Sequence, residues 1–257
     1  MTSIPTLGQS KSATALRRVI SQALFETKAL FRNGEQIMVS VLLPLGLLVA
    51  LGKTSVIAIE TYGHSRLDFV VPGIMAIAIM ASSFTSQAIA TAFDRRNGVL
   101  RFLSTTPLGR GGLLGAKTCA VLIVALIQCV LISIVALALG WNTSVGGIAL
   151  ALVPVVLGAA AFTSFAMLIA GTLRAEGVIA LANIILAALI VAGGTLVPSS
   201  ALPQWLEPIA RFLPSGALGD LFRAALLHTQ LPLLPTLVLI GWTAVFGYAA
   251  ARLFKWH

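Results

Sequence analysis

The residues of this sequence that could do chemistry are few, and most sit inside long apolar runs. Ser82, Ser83, Thr85, Ser86 and Gln87 cluster in one run, Gln128 stands in another and Asn183 in a third. All are neutral. At helical spacing Ser82/Ser86 and Ser83/Gln87 are i, i+4 pairs, which places them on one strip of a helix. Such a strip serves either to glue helices together or to line a path. No nucleophile–base pair is visible. His64, His228 and His257 are scattered without ligand spacing, so no metal site is expected. Cys119 and Cys129 share one run; on a helix they lie roughly two to three turns apart, too far to bridge, and read as small buried hydrophobes. His64, Arg66 and Asp68 are the one polar cluster at the end of a run, and they fit a loop better than an enzyme site.

The nearest approach to a phosphate-binding loop is G-G-L-L-G-A-K-T at Gly111–Thr118. Ala116 stands where the second glycine belongs, and no strand precedes it. Lys117 therefore reads as an anchor at a membrane interface, and the chain carries no nucleotide site of its own. The spans also lack the mid-membrane ionisable residues of ion-coupled transporters. The energy for any transport must come from elsewhere.

The elements that hold these residues follow from composition. Of 257 residues, 58% are hydrophobic and only 10% charged, far below the charged share of about 25% in soluble domains. A bilayer is crossed by about 20 apolar residues as a helix. Six runs qualify: Ile37–Gly52, led by Gln36, then Phe69–Phe93, Ala116–Leu139, Ile148–Gly171, Val178–Val197 and Leu233–Leu253. Ala50-Leu51-Gly52 has the small residues of a cleavage site, but the leader before it is too long for a signal peptide and five spans follow. Pro44 inside the first span is tolerable where a neighbouring helix satisfies the carbonyl it frees. The short connections Gly140–Gly147 and Thr172–Gly177 force antiparallel neighbours.

Residues 1–13 are polar. From Thr14 to Arg32, Leu16, Val19, Ile20, Ala23, Leu24, Leu30 and Phe31 recur at helical spacing, with Arg17, Arg18, Lys28 and Arg32 mostly off the stripe. This is the pattern of an amphipathic helix on a membrane surface; a solvated leader helix is the alternative. The net charge of +9 does not point to nucleic acid, because the basic residues flank spans instead of forming a continuous stripe. Six spans put all but four of the 17 basic residues on one side; the four are Lys53, Arg66, Arg211 and Arg223. The excess of positive charge assigns that side, with both termini, to the cytoplasm. The sequence thus predicts an all-α polytopic membrane protein: a single transmembrane domain over 1–257, with six transmembrane helices and an N-terminal interfacial helix within 1–35.

Two longer loops remain. The cytoplasmic one, 94–115, has an apolar side in Leu100, Phe102 and Leu103 and a basic side in Arg95, Arg96 and Arg101, and is broken at Thr106-Pro107. It is either a short helix offered to a partner or a basic loop that fixes topology. The other, 198–231, carries Pro198, Pro203, Pro208 and Pro214, so no long helix runs through it. Short broken helices at the interface are expected there, with Trp205 at headgroup level, a new helix N-capped by Ser215, and an Asp220/Arg223 pair at i, i+3.

Three stretches resemble the type-2 ATP-binding-cassette (ABC) permeases, the six-helix membrane subunits of exporters for drugs, lipids and glycans. E-T-K-A-L-F-R-N-G-E-Q at Glu26–Gln36 is similar to that family's amphipathic connecting helix. F-D-R-R-N-G-V-L-R-F-L-S-T-T-P-L at Phe93–Leu108 is similar to its coupling loop, E-R-E-x-G-T-L-E-x-L-x-x-T-P, with Asp94 in place of Glu, Val99 of Thr and Arg101 of an acidic residue. G-G-T-L-V-P-S-S-A-L-P-Q-W-L-E-P-I-A-R-F-L-P at Gly193–Pro214 is similar to the stretch before its last span. The resemblance implies two permease chains, identical or different, in the cell membrane, each on a separate ATPase subunit that holds ATP and Mg. It implies that Asp94, Gly98, Leu100, Phe102, Leu103, Thr106 and Pro107 couple to the ATPase. It also implies that spans two and five face the dimer axis, with Ser82, Ser83, Ser86, Gln87 and Asn183 along the path. Neutral polar groups on an apolar wall would suit an amphiphilic, lipid-like or drug-like cargo moved out of the cytoplasm. The competing reading is an ABC-independent facilitator, lipid-handling protein or assembly factor.

Overall fold

The structure, a computed structural model, describes residues 14–32, 38–53, 65–196 and 202–254. Every regular element among them is helical. The first, α1 (Ala15–Arg32), covers the predicted amphipathic helix, but its apolar stripe is divided between two surroundings. Ala23 is buried, with Val19 and Leu30 half-buried on the side that meets the third span. Leu16, Ile20, Leu24 and Phe25 are exposed.

The predicted start of the first span, Gln36 and Ile37, lies outside the described residues. From Met38 the chain forms a π-helical turn, Met38–Leu42, then α2, Leu43–Lys53. The proline explains a contact made from far away in sequence. Pro44 has no N–H, so the carbonyl of Ser40, one turn back, loses its helical donor. The amide of Gln128, in the third span, supplies one at 2.8 Å. Gln128 thus ties the first-span segment to the third span.

The second span is a single rod: α3 (Arg66–Met80), a π-helical turn (Ala81–Ser86) and α4 (Gln87–Arg96). It is the axis of the bundle, with 89% of its most apolar stretch buried. A short helix, α5 (Val99–Ser104), leads to α6 (Gly109–Ala138), the third span. The fourth is α7 (Val145–Leu150) and α8 (Leu152–Thr172), joined at Ala151, and the fifth is α9 (Ala175–Ala192). Two helices follow, α10 (Glu207–Phe212) and α11 (Pro214–His228), before the last span, α12 (Leu233–Leu253). Five of these helical stretches are long and apolar enough to cross a membrane; Ser40–Lys53 is a shorter apolar helix. The protein is an all-α polytopic membrane protein.

Helix α11 departs from its sequence reading in two ways. It starts at Pro214 with Leu213 as N-cap, not at Ser215, whose hydroxyl is buried without a partner among the described residues. It also packs deeply, against α3 and α12, and most of its side chains are buried. A glycine on α8 permits the approach: a Cβ on Gly158 would come within 2.7 Å of Leu218. The expected Asp220/Arg223 pair forms at 2.8 Å, and Arg223 reaches further. It is buried and donates to the carbonyl of Thr195 at 2.9 Å, just past the end of α9.

Candidate translocation cavity and coupling loop

The predicted polar strip on the second span does not face one way. Ser82, Ser83 and Gln87 are buried within the chain. The Ser82 hydroxyl donates to the Ala78 carbonyl at 2.9 Å, and the Ser83 hydroxyl donates to that of Ile79. A π turn shifts the register by one residue, so positions that an α-helix would align are rotated apart. Thr85 and Ser86, one step round the helix, line a cavity instead.

That cavity holds about 840 Å³ between three elements. The first-span segment contributes Ser40, Leu43 and Pro44, and α9 contributes Asn183, Leu186 and Ile190. The central rod supplies the longest wall, from Ile77 to Asp94, a rise of about 25 Å at helical pitch. Most of the lining is apolar, and the polar groups on it are Ser40, Thr85, Ser86, Asn183 and Asp94. Asn183 is exposed and donates its amide to the Ile179 carbonyl at 2.8 Å. Of the five predicted path residues, then, Ser86 and Asn183 share the cavity, and Ser82, Ser83 and Gln87 stand behind its wall.

At the basic end of the rod the chain turns at Gly98, whose φ of +76° favours glycine. Helix α5 follows, and its two faces differ sharply. Leu100 is fully buried in a small cluster with Leu113, Met167, Ala250 and Phe254. Phe102 is 70% exposed, with Arg101 beside it. Leu103 is half-buried against the cluster. The hydroxyls of Thr105 and Thr106 donate to the carbonyls of Phe102 and Leu103 at 2.7 and 2.6 Å, closing the helix. Pro107 comes next, its carbonyl taken by the Arg18 guanidinium from α1.

The ion pairs around this loop were not foreseen. Lys117, read from sequence as an interface anchor, is wholly buried. Its ammonium lies 3.1 Å from Glu26 Oε2 on α1 and 3.1 Å from Asp94 Oδ2 on the rod. A buried ammonium is tolerable only with such partners. The reading that the polar groups inside the spans are neutral is corrected at this position, because Lys117 is a buried, paired charge within the third span. Arg96 pairs with Glu176 of α9 at 2.7 Å, and Arg95 donates to the Leu173 carbonyl. The loop is thereby fastened to α1, to the third span and to the α8–α9 turn. The chain has only eight carboxylates, and three of them meet basic groups here. Their scarcity was the one available signal; which base each would meet was not legible.

The family model described as ABC-2 type transporter matches residues 21–227, from α1 to the end of α11. The chain belongs to the ABC-2 type transporter family. It is a permease subunit, not itself an ATPase, and the loop 94–115, the cavity and Lys117 all lie within the matched region. No curated protein matches the sequence.

Proposed function

We propose that this permease is the membrane half of an ATP-driven exporter, working as a pair of chains, each seated on a separate ATPase subunit. The observation that carries the reading is a shared rod. Thr85, Ser86 and Asp94 on the cavity wall belong to the same helical stretch that turns at Gly98 into α5. A push on α5 therefore moves one wall of the cavity directly. The exposed face of α5, centred on Phe102, is the surface offered to the ATPase, and buried Leu100 seats the helix on the ends of three other spans.

In this mechanism ATP and Mg belong to the partner subunit. ATP-driven closure of two ATPases displaces α5, and the rod carries that displacement to Ser86 and Asn183, which line the path. Ser82, Ser83 and Gln87 hold the wall in shape. The basic end of the bundle faces the cytoplasm, and the amphiphilic cargo leaves across the cell membrane. The two states must differ in free energy by what ATP binding contributes differentially.

A pull-down of the tagged chain from its native membrane tests this. A stoichiometric ATPase should accompany the wild type and be lost with Phe102→Asp, while Phe102→Leu retains it. Leu100→Asp is the wrong variant, because it would bury a charge in the cluster. Recovery of other membrane complexes without any ATPase would overturn the reading. Transport by Ser86→Leu and Asn183→Leu then tests the path: unchanged rates in folded protein would remove both residues from it.

A further inference from the structure

The cavity wall is neutral along its length except at one place. Asp94 stands at the basic end, its side chain 32% exposed, and is the one ionisable residue among the described residues of the lining. Lys117 does not cancel it. The same ammonium also holds Glu26 at equal distance, so two carboxylates share one positive charge. The two arginines that follow Asp94 in sequence bond elsewhere, Arg95 to the Leu173 carbonyl and Arg96 to Glu176. An apolar trough whose described lining carries a single ionisable group, a carboxylate at one end, is a shape with a chemical preference. An opposite charge within a few ångströms of a partly desolvated carboxylate is favoured, and a like charge is disfavoured.

We infer that the basic end of the cavity is a recognition subsite for a positively charged group on an otherwise apolar molecule, with Asp94 as its counter-charge. An ammonium, guanidinium or phosphonium would sit against Asp94, and the apolar body would lie along Ile77, Ile89 and Leu186. Thr85 Oγ1 has no partner among the described residues, and Ser86 and Asn183 stand at mid-length to meet a single neutral polar group. Anionic amphiphiles are rejected at the same point. The inference rests on the permease reading and narrows its cargo from amphiphiles in general to cationic ones.

Two ions of the same shape and opposite charge separate the outcomes: tetraphenylphosphonium and tetraphenylborate. Their equilibrium binding is measured on the full chain in nanodiscs of neutral lipid, with empty discs subtracted. The wild type should bind the cation saturably and at least tenfold more tightly than the anion. Asp94→Asn should bring the two within about threefold of each other. Glu26→Gln disturbs the same ion cluster but keeps the charge on the wall, so it should retain the preference. Equal or anion-favouring binding by the wild type overturns the inference without any variant. Loss of the preference in Glu26→Gln as complete as in Asp94→Asn overturns it too, since cluster integrity would then be its source. The measurement needs no ATPase. Failure here leaves the exporter reading standing, and a missing ATPase partner leaves the subsite standing.

Discussion

The central rod and α9 face each other across the cavity, and both are apolar enough to span a bilayer, yet they are built in opposite ways. In the rod 89% of the most apolar stretch is buried in the chain; in α9 the figure is 17%. The less buried helix is the more apolar of the two. In water that ordering would be perverse. In lipid, acyl chains are as apolar as leucine, so hydrophobicity no longer drives helices inward and close packing decides instead. The rod carries Gly73, Ala76, Ala78, Ala88 and Ala92, small residues that let neighbours approach, and all are buried. Helix α9 leaves Ile179, Asn183, Ile184 and Val191 bare. One helix is fixed by its own chain, and the other keeps a face for lipid or for a second copy.

Substitutions can break this contrast, and their effects should fall in order. Phe84 is fully buried on the rod and stacks on Phe165 of α8, with ring centroids 4.7 Å apart. Phe84→Ala should lower unfolding stability in nanodiscs by about 3–5 kcal/mol, the usual range for a buried aromatic replaced by alanine. Lys117→Met should follow at about 3 kcal/mol, the low end for a broken buried pair, because Asp94 is partly exposed. The double variant with Glu26→Gln should recover part of that loss, since one repelling carboxylate is gone; a further loss would contradict the shared-charge geometry. Gly98→Ala, which forces a side chain into left-handed backbone, should cost about 1–2 kcal/mol. Last comes the bare side of the comparison. Ile184→Ala on α9 should change the stability of the single chain by no more than about 0.5 kcal/mol. Arg96→Ala should likewise stay within about 0.5 kcal/mol, because both members of its pair are more than half exposed. A large loss from Ile184→Ala would mean that α9 is held as firmly as the rod.

Much of the architecture was legible in the sequence. The runs of apolar residues located the five spans long enough to cross, with the last one matching Leu233–Leu253 residue for residue, while the first run holds only a shorter apolar helix among the described residues. The proline in the first span announced a carbonyl needing an outside donor, and Asp220 with Arg223 announced a helical ion pair. The site was legible only in part. Ser82 and Ser86 look equivalent at helical spacing, but the π turn between Ala81 and Ser86 rotates one into the core and the other onto the cavity. Nothing in five small neutral residues marks where a helix will widen by one residue per turn. Likewise Leu100 and Phe102 are two similar apolar letters in one short loop. One became core and the other surface, because the ends of α6, α8 and α12 close over a single face of α5.

The sequence by itself determined what each segment is, because membrane crossing, helix breaking and the side taken by basic residues depend on composition over short windows. Tertiary structure alone decided which polar groups meet. Glu26, Asp94 and Lys117 lie far apart along the chain, and Gln128 is remote from Ser40. Burial in a low-dielectric bundle requires each charge and freed carbonyl to find a partner. Which partner it finds depends on how the helices cross.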